Sequence, residues 1–189
     1  MEKRIQQVAT KLNRVVLYGP ESTGKTTLAK ALAAYYTTSW VPEFARDYLQ
    51  TIWDQEQRSC SLEDLPHIVA GQMRLENQKL AKAQKWLFCD TNALVTQVWS
   101  ETHFDGYCAH EIKEAVAHYH YDFYLITKPD IPWEKDDLRD RPEDREEMYS
   151  AFEKQLLKRD LPFAFVEGLG EKRLKNAIKA LENWQKNRE

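Results

Sequence analysis

Eight residues near the start of the chain have the types and the spacing that bind a chain of phosphates. They read GPESTGKT from Gly19 to Thr26 and match the pattern G-x-x-x-x-G-K-[ST]. The two glycines allow a tight bend whose backbone N–H groups point inward and bind an anion. Lys25 adds a positive charge between the β- and γ-phosphates of a nucleotide, and the Thr26 hydroxyl is a ligand that Mg²⁺ accepts. The pattern therefore predicts a site for ATP and Mg²⁺.

The surrounding sequence favours this interpretation over a chance glycine-rich turn. An apolar run precedes the motif and an amphipathic run follows it, so a strand would end and a helix would begin at the phosphates. Kinases, switches and motor ATPases share such a loop, so it predicts the nucleotide and leaves the reaction open. Thr27 is expected to contact the α-phosphate. The full set of expected nucleotide contacts is Gly19, Glu21, Ser22, Thr23, Gly24, Lys25, Thr26 and Thr27.

Asp90 is a candidate metal ligand because it follows the apolar run WLFC. A carboxylate at the carboxyl end of a strand beside the phosphate-binding strand can reach the metal, usually through a water. Thr26 and Asp90 would be a sufficient set of protein ligands, since Mg²⁺ keeps most of its waters. The alternative is that Asp90 caps the following helix, and the two roles are compatible.

Glu43 is the candidate for aiming or deprotonating an acceptor hydroxyl. It follows a short run at 39–41 that reads as a strand, and α/β sheets bind ligands at the carboxyl ends of their strands. Asp90 is the rival base, and we assign Glu43 to the hydroxyl and Asp90 to the metal. The alternative for Glu43 is an ion pair with Arg46, three residues on along a helix, which would contribute only about 0.2–0.5 kcal/mol.

A charged and proline-rich segment at 128–147, KPDIPWEKDDLRDRPEDREE, is here named the lid segment. It is either a solvated loop or a mobile lid over the nucleotide, and we favour the lid. Arg139 and Arg141 are candidate catalytic residues because guanidinium groups can neutralise a transferring phosphoryl group. The alternative is that they pair with neighbouring acidic side chains on the surface, where each pair contributes about 0–1 kcal/mol.

Short apolar runs alternate with amphipathic ones, which predicts an α/β fold of the P-loop, three-layer kind. It would have a five-stranded parallel sheet, most simply in the order 2-3-1-4-5, with helices on both faces. The predicted strands are 14–18, 39–41, 86–89, 123–127 and 163–166. The predicted helices are 25–36, 64–84, 93–102, 110–119, 143–158 and 171–186. Within 64–84, Gln72 and Lys79 interrupt the apolar stripe that contains Ile68 and Leu75.

Length and composition predict one domain over 1–189, with 1–13 as an N-terminal extension. A net charge of −3 does not indicate a nucleic-acid or membrane partner, and the chain has no apolar run long enough to cross a bilayer. The three cysteines show no metal-ligand spacing and are interpreted as reduced thiols of a cytoplasmic protein. The sequence leaves the oligomeric state open.

Four segments give the chain a resemblance to the ribosylnicotinamide kinase domain of NadR-type NAD-biosynthesis proteins. They are GPESTGKTTLAKALA, PEFARDYL, FCDTNALVTQVW and WEKDDLR, and the resemblance runs from about residue 14 to the C-terminal helix. The P-loop is generic, whereas the E-[YF]-x-R and D-T-x(4)-T-Q elements are more distinctive. The resemblance implies a nucleoside-kinase-like α/β core that phosphorylates the ribose 5′-hydroxyl of nicotinamide riboside with ATP.

The resemblance also implies roles for single residues. The matched positions are Glu43, Arg46, Asp90, Thr91, Thr96, Gln97, Trp133, Asp136 and Arg139. The chain departs from the pattern at Pro42, where some members have tryptophan, at Phe44, where tyrosine is frequent, and at Asn92, which replaces an aspartate. Phe44 and Trp99 adjoin the matched elements as aromatic candidates. The expected acceptor contacts are Glu43, Phe44, Arg46, Asn92 and Trp99.

Two alternatives to nicotinamide riboside phosphorylation stay open. The departures at Pro42 and Asn92 favour a kinase for another small hydroxyl substrate. A nucleotide-controlled regulatory protein is the second alternative, against which stand the arginine-bearing lid segment and the lack of a guanine-reading N-K-x-D element. The adenylyltransferase domain that often precedes this kinase domain is not expected within the thirteen residues before the first strand.

Overall fold

The computed structural model describes residues 5–138 and 143–188. Its sheet has five parallel strands in the order β2-β3-β1-β4-β5. They are β1 (Asn13–Tyr18), β2 (Trp40–Val41), β3 (Trp86–Asp90), β4 (Phe123–Thr127) and β5 (Phe163–Val166). The predicted fold class and strand order are confirmed.

Helices cover both faces of the sheet because both faces of its central strand are apolar. They are α1 (Lys25–Tyr35), α2 (Phe44–Glu56), α3 (Asp64–Leu80), α4 (Ala93–His103), α5 (His110–His118), α6 (Arg145–Lys158) and α7 (Gly170–Lys186). Val15 and Leu17 of β1 pack in one core with residues of α1 and α7. Val16 and Tyr18, which point the other way, pack with residues of α4 and α6. The result is a three-layer arrangement.

The register of the sheet places the ends of two strands side by side. Leu17 of β1 is paired with Asp90 of β3, and Tyr18 is paired with Ile126 of β4. The chain leaves β1 after Tyr18 and enters the GPESTGKT loop. Parallel pairing therefore brings the last carboxylate of β3 next to the phosphate-binding motif.

The structure differs from the sequence prediction chiefly between β2 and α3. Residues 44–56 form a helix that the prediction left unassigned, although Ala45, Tyr48, Leu49 and Ile52 repeat at the helical spacing and face the core. The long helix α3 ends at Leu80, four residues before its predicted end, in turns closed by i→i−3 hydrogen bonds. The other element ends differ from the prediction by one or two residues.

The N-terminal residues before β1 are bound to α3 and to the loop before β4. Gln7 Nε2 donates to Glu76 Oε1 at 2.9 Å, and His120 N donates to Gln7 Oε1 at 2.8 Å. Glu76 is fully buried and lies 2.8 Å from Arg14 Nε, so the buried charge has a partner. Across 5–138 and 143–188, no helix is long and apolar enough to span a bilayer.

Candidate active site

The GPESTGKT motif forms a tight loop between β1 and α1. Its two glycines have positive φ angles, which other residues rarely adopt. Gly19 has φ +129° and Gly24 has φ +75°. A Cβ atom on Gly19 would lie 3.0 Å from the carbonyl oxygen of Thr127 on β4. A side chain at position 19 would therefore strain the backbone and press against the neighbouring strand.

Internal hydrogen bonds hold the loop in shape. The Thr23 hydroxyl donates to the Pro20 carbonyl at 2.9 Å and lies 2.7 Å from the Thr127 hydroxyl. Lys25 Nζ donates to the same Pro20 carbonyl at 2.6 Å. Thr23 is fully buried, so its hydroxyl supports the loop. All the residues from Gly19 to Thr27 are among those that line the cavity beside it.

Thr26 and Asp90 meet where β3 ends. The Thr26 hydroxyl donates to Asp90 Oδ2 at 2.5 Å, while Asp90 Oδ1 is buried and has no hydrogen-bond partner among the described residues. The pKa of Asp90 is raised to about 7, chiefly by burial and then by the charge of Glu43, whereas Lys25 acts in the opposite direction. A hydroxyl and a buried carboxylate oxygen without a partner, side by side, fit a hard cation such as Mg²⁺.

Asp90 does not cap the helix that follows it, because Asn92 does. Asn92 Oδ1 accepts from the backbone N–H groups of Leu94 and Val95 at 3.1 and 3.2 Å. Its amide nitrogen donates to Tyr124 Oη at 3.2 Å, and the residue is 2% exposed. Asn92 is not among the residues that line the cavity, and its amide makes hydrogen bonds inside the protein, so the geometry does not support the predicted acceptor contact. Thr91, between the two, has φ +74°, a strained angle of the kind found at functional sites.

Glu43 lies at the N-terminus of α2 and lines the cavity shared with Asp90. The alternative prediction, an ion pair between Glu43 and Arg46, is wrong. The Arg46 guanidinium lies 2.5 Å from Asp136 in the lid segment, and this pair connects α2 to the lid segment. Both Arg46 and Asp136 keep partial contact with solvent.

The two aromatic candidates have different positions. Phe44 lies outside the cavity lining: its ring stacks on Tyr48 and occupies the space where a Cβ of Gly71 would be. The structure thus gives Phe44 a packing role in place of the predicted acceptor contact. Trp99 lines the cavity and stacks on His103 with the ring centroids 3.9 Å apart, so its acceptor contact stays a prediction. His103 also lines the cavity, and no pattern in the sequence predicts this position.

The described part of the lid segment lies against the phosphate-binding loop. Trp133 Nε1 donates to Glu21 Oε1 at 3.2 Å, and the backbone N–H of Glu134 donates to the Ser22 hydroxyl at 3.1 Å. Arg145, the first residue of α6, donates to the carbonyls of Ser22 and Ile131. The candidates Arg139 and Arg141 lie outside the described residues.

Arg173 is a further buried residue that the sequence analysis did not single out. It lies in the first turn of α7, is 5% exposed, and donates to the Thr23 carbonyl inside the phosphate-binding loop. Its other donors reach the Gly168 carbonyl, the Lys128 carbonyl and the Asp130 carboxylate. One guanidinium thus joins the loop, the start of the lid segment and α7. A basic residue in the first turn of a helix, against the usual preference for acidic ones, was the available signal.

A single cavity of about 1040 Å³ contains both candidate regions. The phosphate-binding loop, Asp90 and the lid segment line one end of it. Residues of α2, α3 and α4 line the rest of it, and Glu43, at the start of α2, is close enough to Asp90 for the two charges to interact. The lining residues used below are Lys25, Thr26, Trp40, Glu43, Asp47, Trp53, Gln72, Asp90, Trp99 and His103.

Comparison with known proteins agrees with this geometry. A family model described as AAA domain matches residues 14–173. The trifunctional NAD biosynthesis/regulator protein NadR of Escherichia coli K12 is 26% identical over 155 residues, which cover 81% of this chain and 38% of that protein. The Salmonella typhimurium protein of the same name is 26% identical over 125 residues, 66% of this chain and 30% of its own length. The chain thus spans about a third of the length of the curated relatives it matches.

Solved structures extend the likeness to the whole fold. A NadR protein in complex with NR superposes with a TM-score of 0.77 at 24% identity, covering 92% of this chain and 51% of that one. A deoxyadenosine kinase from M. mycoides gives 0.66 at 11% identity, with 90% and 99% coverage. A thymidylate kinase from Ehrlichia chaffeensis gives 0.61 at 16% identity, with 89% and 98% coverage. The resemblance predicted from the motifs is confirmed, and the fold is of the P-loop kinase kind.

Proposed function

This chain belongs to the AAA domain family, with nucleotide binding through its P-loop, and on that premise we propose that it is an ATP-dependent kinase for a nucleoside-like acceptor. The observation that carries the proposal is the cavity of about 1040 Å³ whose lining includes the phosphate-binding loop, Asp90 and Glu43 together with residues of α2, α3 and α4. A pure ATPase needs space for the nucleotide and a water. Here the lining extends beyond the loop to residues of α2, α3 and α4, and the volume leaves space for a second small molecule.

The residues at the junction have the chemistry that phosphoryl transfer requires. Lys25 would leave the Pro20 carbonyl and bind the β- and γ-phosphates, while the loop N–H groups surround them. Thr26 and Asp90 would hold Mg²⁺, which when bound supplies charge neutralisation on the phosphate oxygens. Glu43 would accept a hydrogen bond from the acceptor hydroxyl and aim it at the γ-phosphate.

The acceptor end of the cavity favours a flat ring that carries positive charge. Trp53 of α2 and Trp99 of α4 line the cavity there, and Asp47 and Glu43 add two carboxylates. Aromatic faces and carboxylates both attract a cation, and the nicotinamide ring of nicotinamide riboside is a pyridinium. We therefore infer that nicotinamide riboside is the acceptor, with transfer to its ribose 5′-hydroxyl. The NadR structure that contains NR supports the same choice.

Acceptor-dependent ADP release tests the proposal. The purified protein is incubated with ATP and Mg²⁺, alone or with nicotinamide riboside, deoxyadenosine, thymidine or thymidylate, and ADP is followed together with the phosphorylated product. We expect ADP and nicotinamide mononucleotide in equal amounts with nicotinamide riboside only. Transfer to another acceptor would replace the proposed substrate and keep the kinase. ADP release at one rate with every acceptor and with none would overturn the kinase proposal.

A further inference from the structure

Gln72 is a buried polar residue in the middle of the apolar stripe of α3. It is 5% exposed and faces the carboxyl ends of β2 and β3. A glutamine in such a position is stable only when its amide is hydrogen-bonded, because unpaired buried polar groups are unfavourable. The partners of the amide therefore show what it does.

The Gln72 amide binds both peptide groups that flank Glu43. Its Oε1 accepts from the backbone N–H of Phe44 at 2.8 Å, and its Nε2 donates to the Pro42 carbonyl at 3.2 Å. The same Nε2 makes a longer contact, 3.5 Å, with the Asp90 carbonyl at the end of β3. One side chain thus joins the backbone on each side of Glu43 to the backbone of Asp90.

The residue before Gln72 holds the same segment through packing. Gly71 has no side chain, and the Phe44 ring occupies the space, since a Cβ at position 71 would lie 2.2 Å from that ring. Two consecutive residues of α3 therefore position Phe44: Gly71 receives its ring and Gln72 receives its N–H.

Glu43 needs such support because its own carboxylate has none. Among the described residues no hydrogen bond or ion pair to the Glu43 side chain is present, and the Asp90 carboxylate is close enough for the two charges to repel. If the Glu43 carboxylate oxygens are to stay available for an acceptor hydroxyl, the side chain has to be positioned through hydrogen bonds to its backbone. The amide of Gln72 provides that attachment.

We propose that Gln72 is a positioning residue that sets the place of the Glu43 carboxylate relative to Asp90 and the phosphate-binding loop. The inference rests on the proposed function, since it assumes that Glu43 aims the acceptor. It predicts that substitutions at 72 impair transfer through Glu43 and leave nucleotide binding unchanged, because the hydrogen bonds of Gln72 within the described residues go to Phe44, Pro42 and Asp90 and not to the GPESTGKT loop.

A double-mutant cycle on kcat tests this coupling. Gln72→Met keeps the volume and removes the amide, and we expect kcat for the acceptor to fall on the order of 10–100-fold, as for a small displacement of a catalytic group. Glu43→Gln should lower kcat by a similar or larger factor, with the Kd of an ATP analogue unchanged. The double variant should be no more than about threefold below Glu43→Gln, because a residue that acts through Glu43 has no effect once Glu43 is removed.

The matched control is Gln78→Met, on the same helix but exposed, for which kcat should equal that of the wild type. If Gln72→Met fails to bind the ATP analogue or to fold, Gln72→Glu replaces it, since a carboxylate can still accept from Phe44 N–H but cannot donate to Pro42. The inference would be overturned if the fold-losses in kcat of the two single variants multiply in the double variant, or if kcat is unchanged in Gln72→Met. In either case, acceptor-dependent ADP release by the wild type would still support the kinase proposal. A wild type without acceptor-dependent ADP release would overturn both.

Discussion

Lys25 is the residue whose removal should separate the reaction from the fold most cleanly. Within residues 5–138 and 143–188 its ammonium group makes one hydrogen bond, to the Pro20 carbonyl, so we expect Lys25→Ala to cost the folded chain little. The same change removes the charge that faces the transferring phosphate. We expect transfer to fall on the order of 10³-fold with an unchanged circular dichroism spectrum and melting temperature within a few degrees. Wild-type turnover in this variant would refute the phosphate role.

Asp90 gives the protein a stability that depends on pH in a defined direction. Its pKa of about 7 lies above the ordinary value of about 4, so above pH 7 the folded protein without nucleotide holds a buried charge that the unfolded chain exposes to water. That unfavourable contribution is largest above pH 7 and disappears as the pH falls from 7 to 4.

Asp90→Asn should therefore raise the melting temperature of the nucleotide-free protein at pH 8, and the gain should shrink as the pH is lowered through 7 toward 4. Thermal melts of both proteins from pH 4.5 to 8.5 give the measurement, with Asp105→Asn on the exposed surface as a control. The variant should also lose Mg²⁺-dependent transfer. A stability gain that is constant with pH would exclude a raised pKa at position 90.

The positions of single site residues could be predicted from the sequence where a local motif determines the backbone conformation, as in the phosphate-binding loop. The GPESTGKT spacing fixes where Lys25 and Thr26 lie, because the loop conformation follows from its glycines. Phe44 and Asn92 could not be assigned in this way. Their side chains turn away from the cavity toward Gly71 and Tyr124, and both partners are distant in sequence. Gln72 had a signal, a polar interruption of an apolar stripe, but its partners required the fold.

At the scale of elements, the Arg46–Asp136 ion pair connects helix α2 to the lid segment. Since both side chains are partly exposed, the pair should contribute only about 0.2–1 kcal/mol to stability. Its main effect should be on the closure of the lid segment over a bound nucleotide. Asp136→Asn is therefore expected to weaken ATP-analogue binding about two- to fivefold and to shift the melting temperature little.

Fluorescence titration at two salt concentrations measures this effect, and the loss should be smaller at high salt because partly exposed pairs are screened. Arg46→Gln should give the same loss, and the two changes together should give no more than either alone. Asp105→Asn serves again as the matched charge change away from the cavity. Losses that add in the double variant would show that the two residues act separately.

Elements were predictable where their apolar pattern was strong. The five apolar runs gave the five strands within one residue at each end, because strands buried on both faces contain little else. Helix α2 was left unassigned since its stripe of Ala45, Tyr48, Leu49 and Ile52 is mixed with polar residues and only Ile52 is fully buried. The bounds of the lid segment could be predicted from its charged and proline-rich composition. Its contacts with Glu21 and Ser22 could not, because they depend on the conformation of the phosphate-binding loop.

For the whole molecule we propose a single folding unit, as the length predicted. Arg173 joins α7 to the phosphate-binding loop, and the N-terminal residues are bound to α3 through Gln7 and Glu76. We therefore expect one thermal transition. Tryptophan fluorescence is a broad probe, since the six tryptophans extend from Trp40 to Trp184, and its midpoint should coincide with that of far-ultraviolet circular dichroism.

An ATP analogue should raise both midpoints together, because a ligand that binds only the folded state stabilises all parts that fold as one unit. Two separated transitions, or a shift of one probe alone, would indicate two units. The strand order of the whole sheet followed from the P-loop pattern and the alternation of elements. The link made by Arg173 did not, since it joins residues 150 positions apart in sequence.

The outermost strands of the sheet limit how copies of this chain can aggregate. β2 has two residues and β5 has four, and Pro42, which has no N–H group, follows β2 at once. An incoming strand from another molecule would find few backbone groups with which to extend the sheet. Because Pro42 offers no N–H group at this edge, we expect that exchanging it to alter acceptor choice would also lower the solubility of the protein.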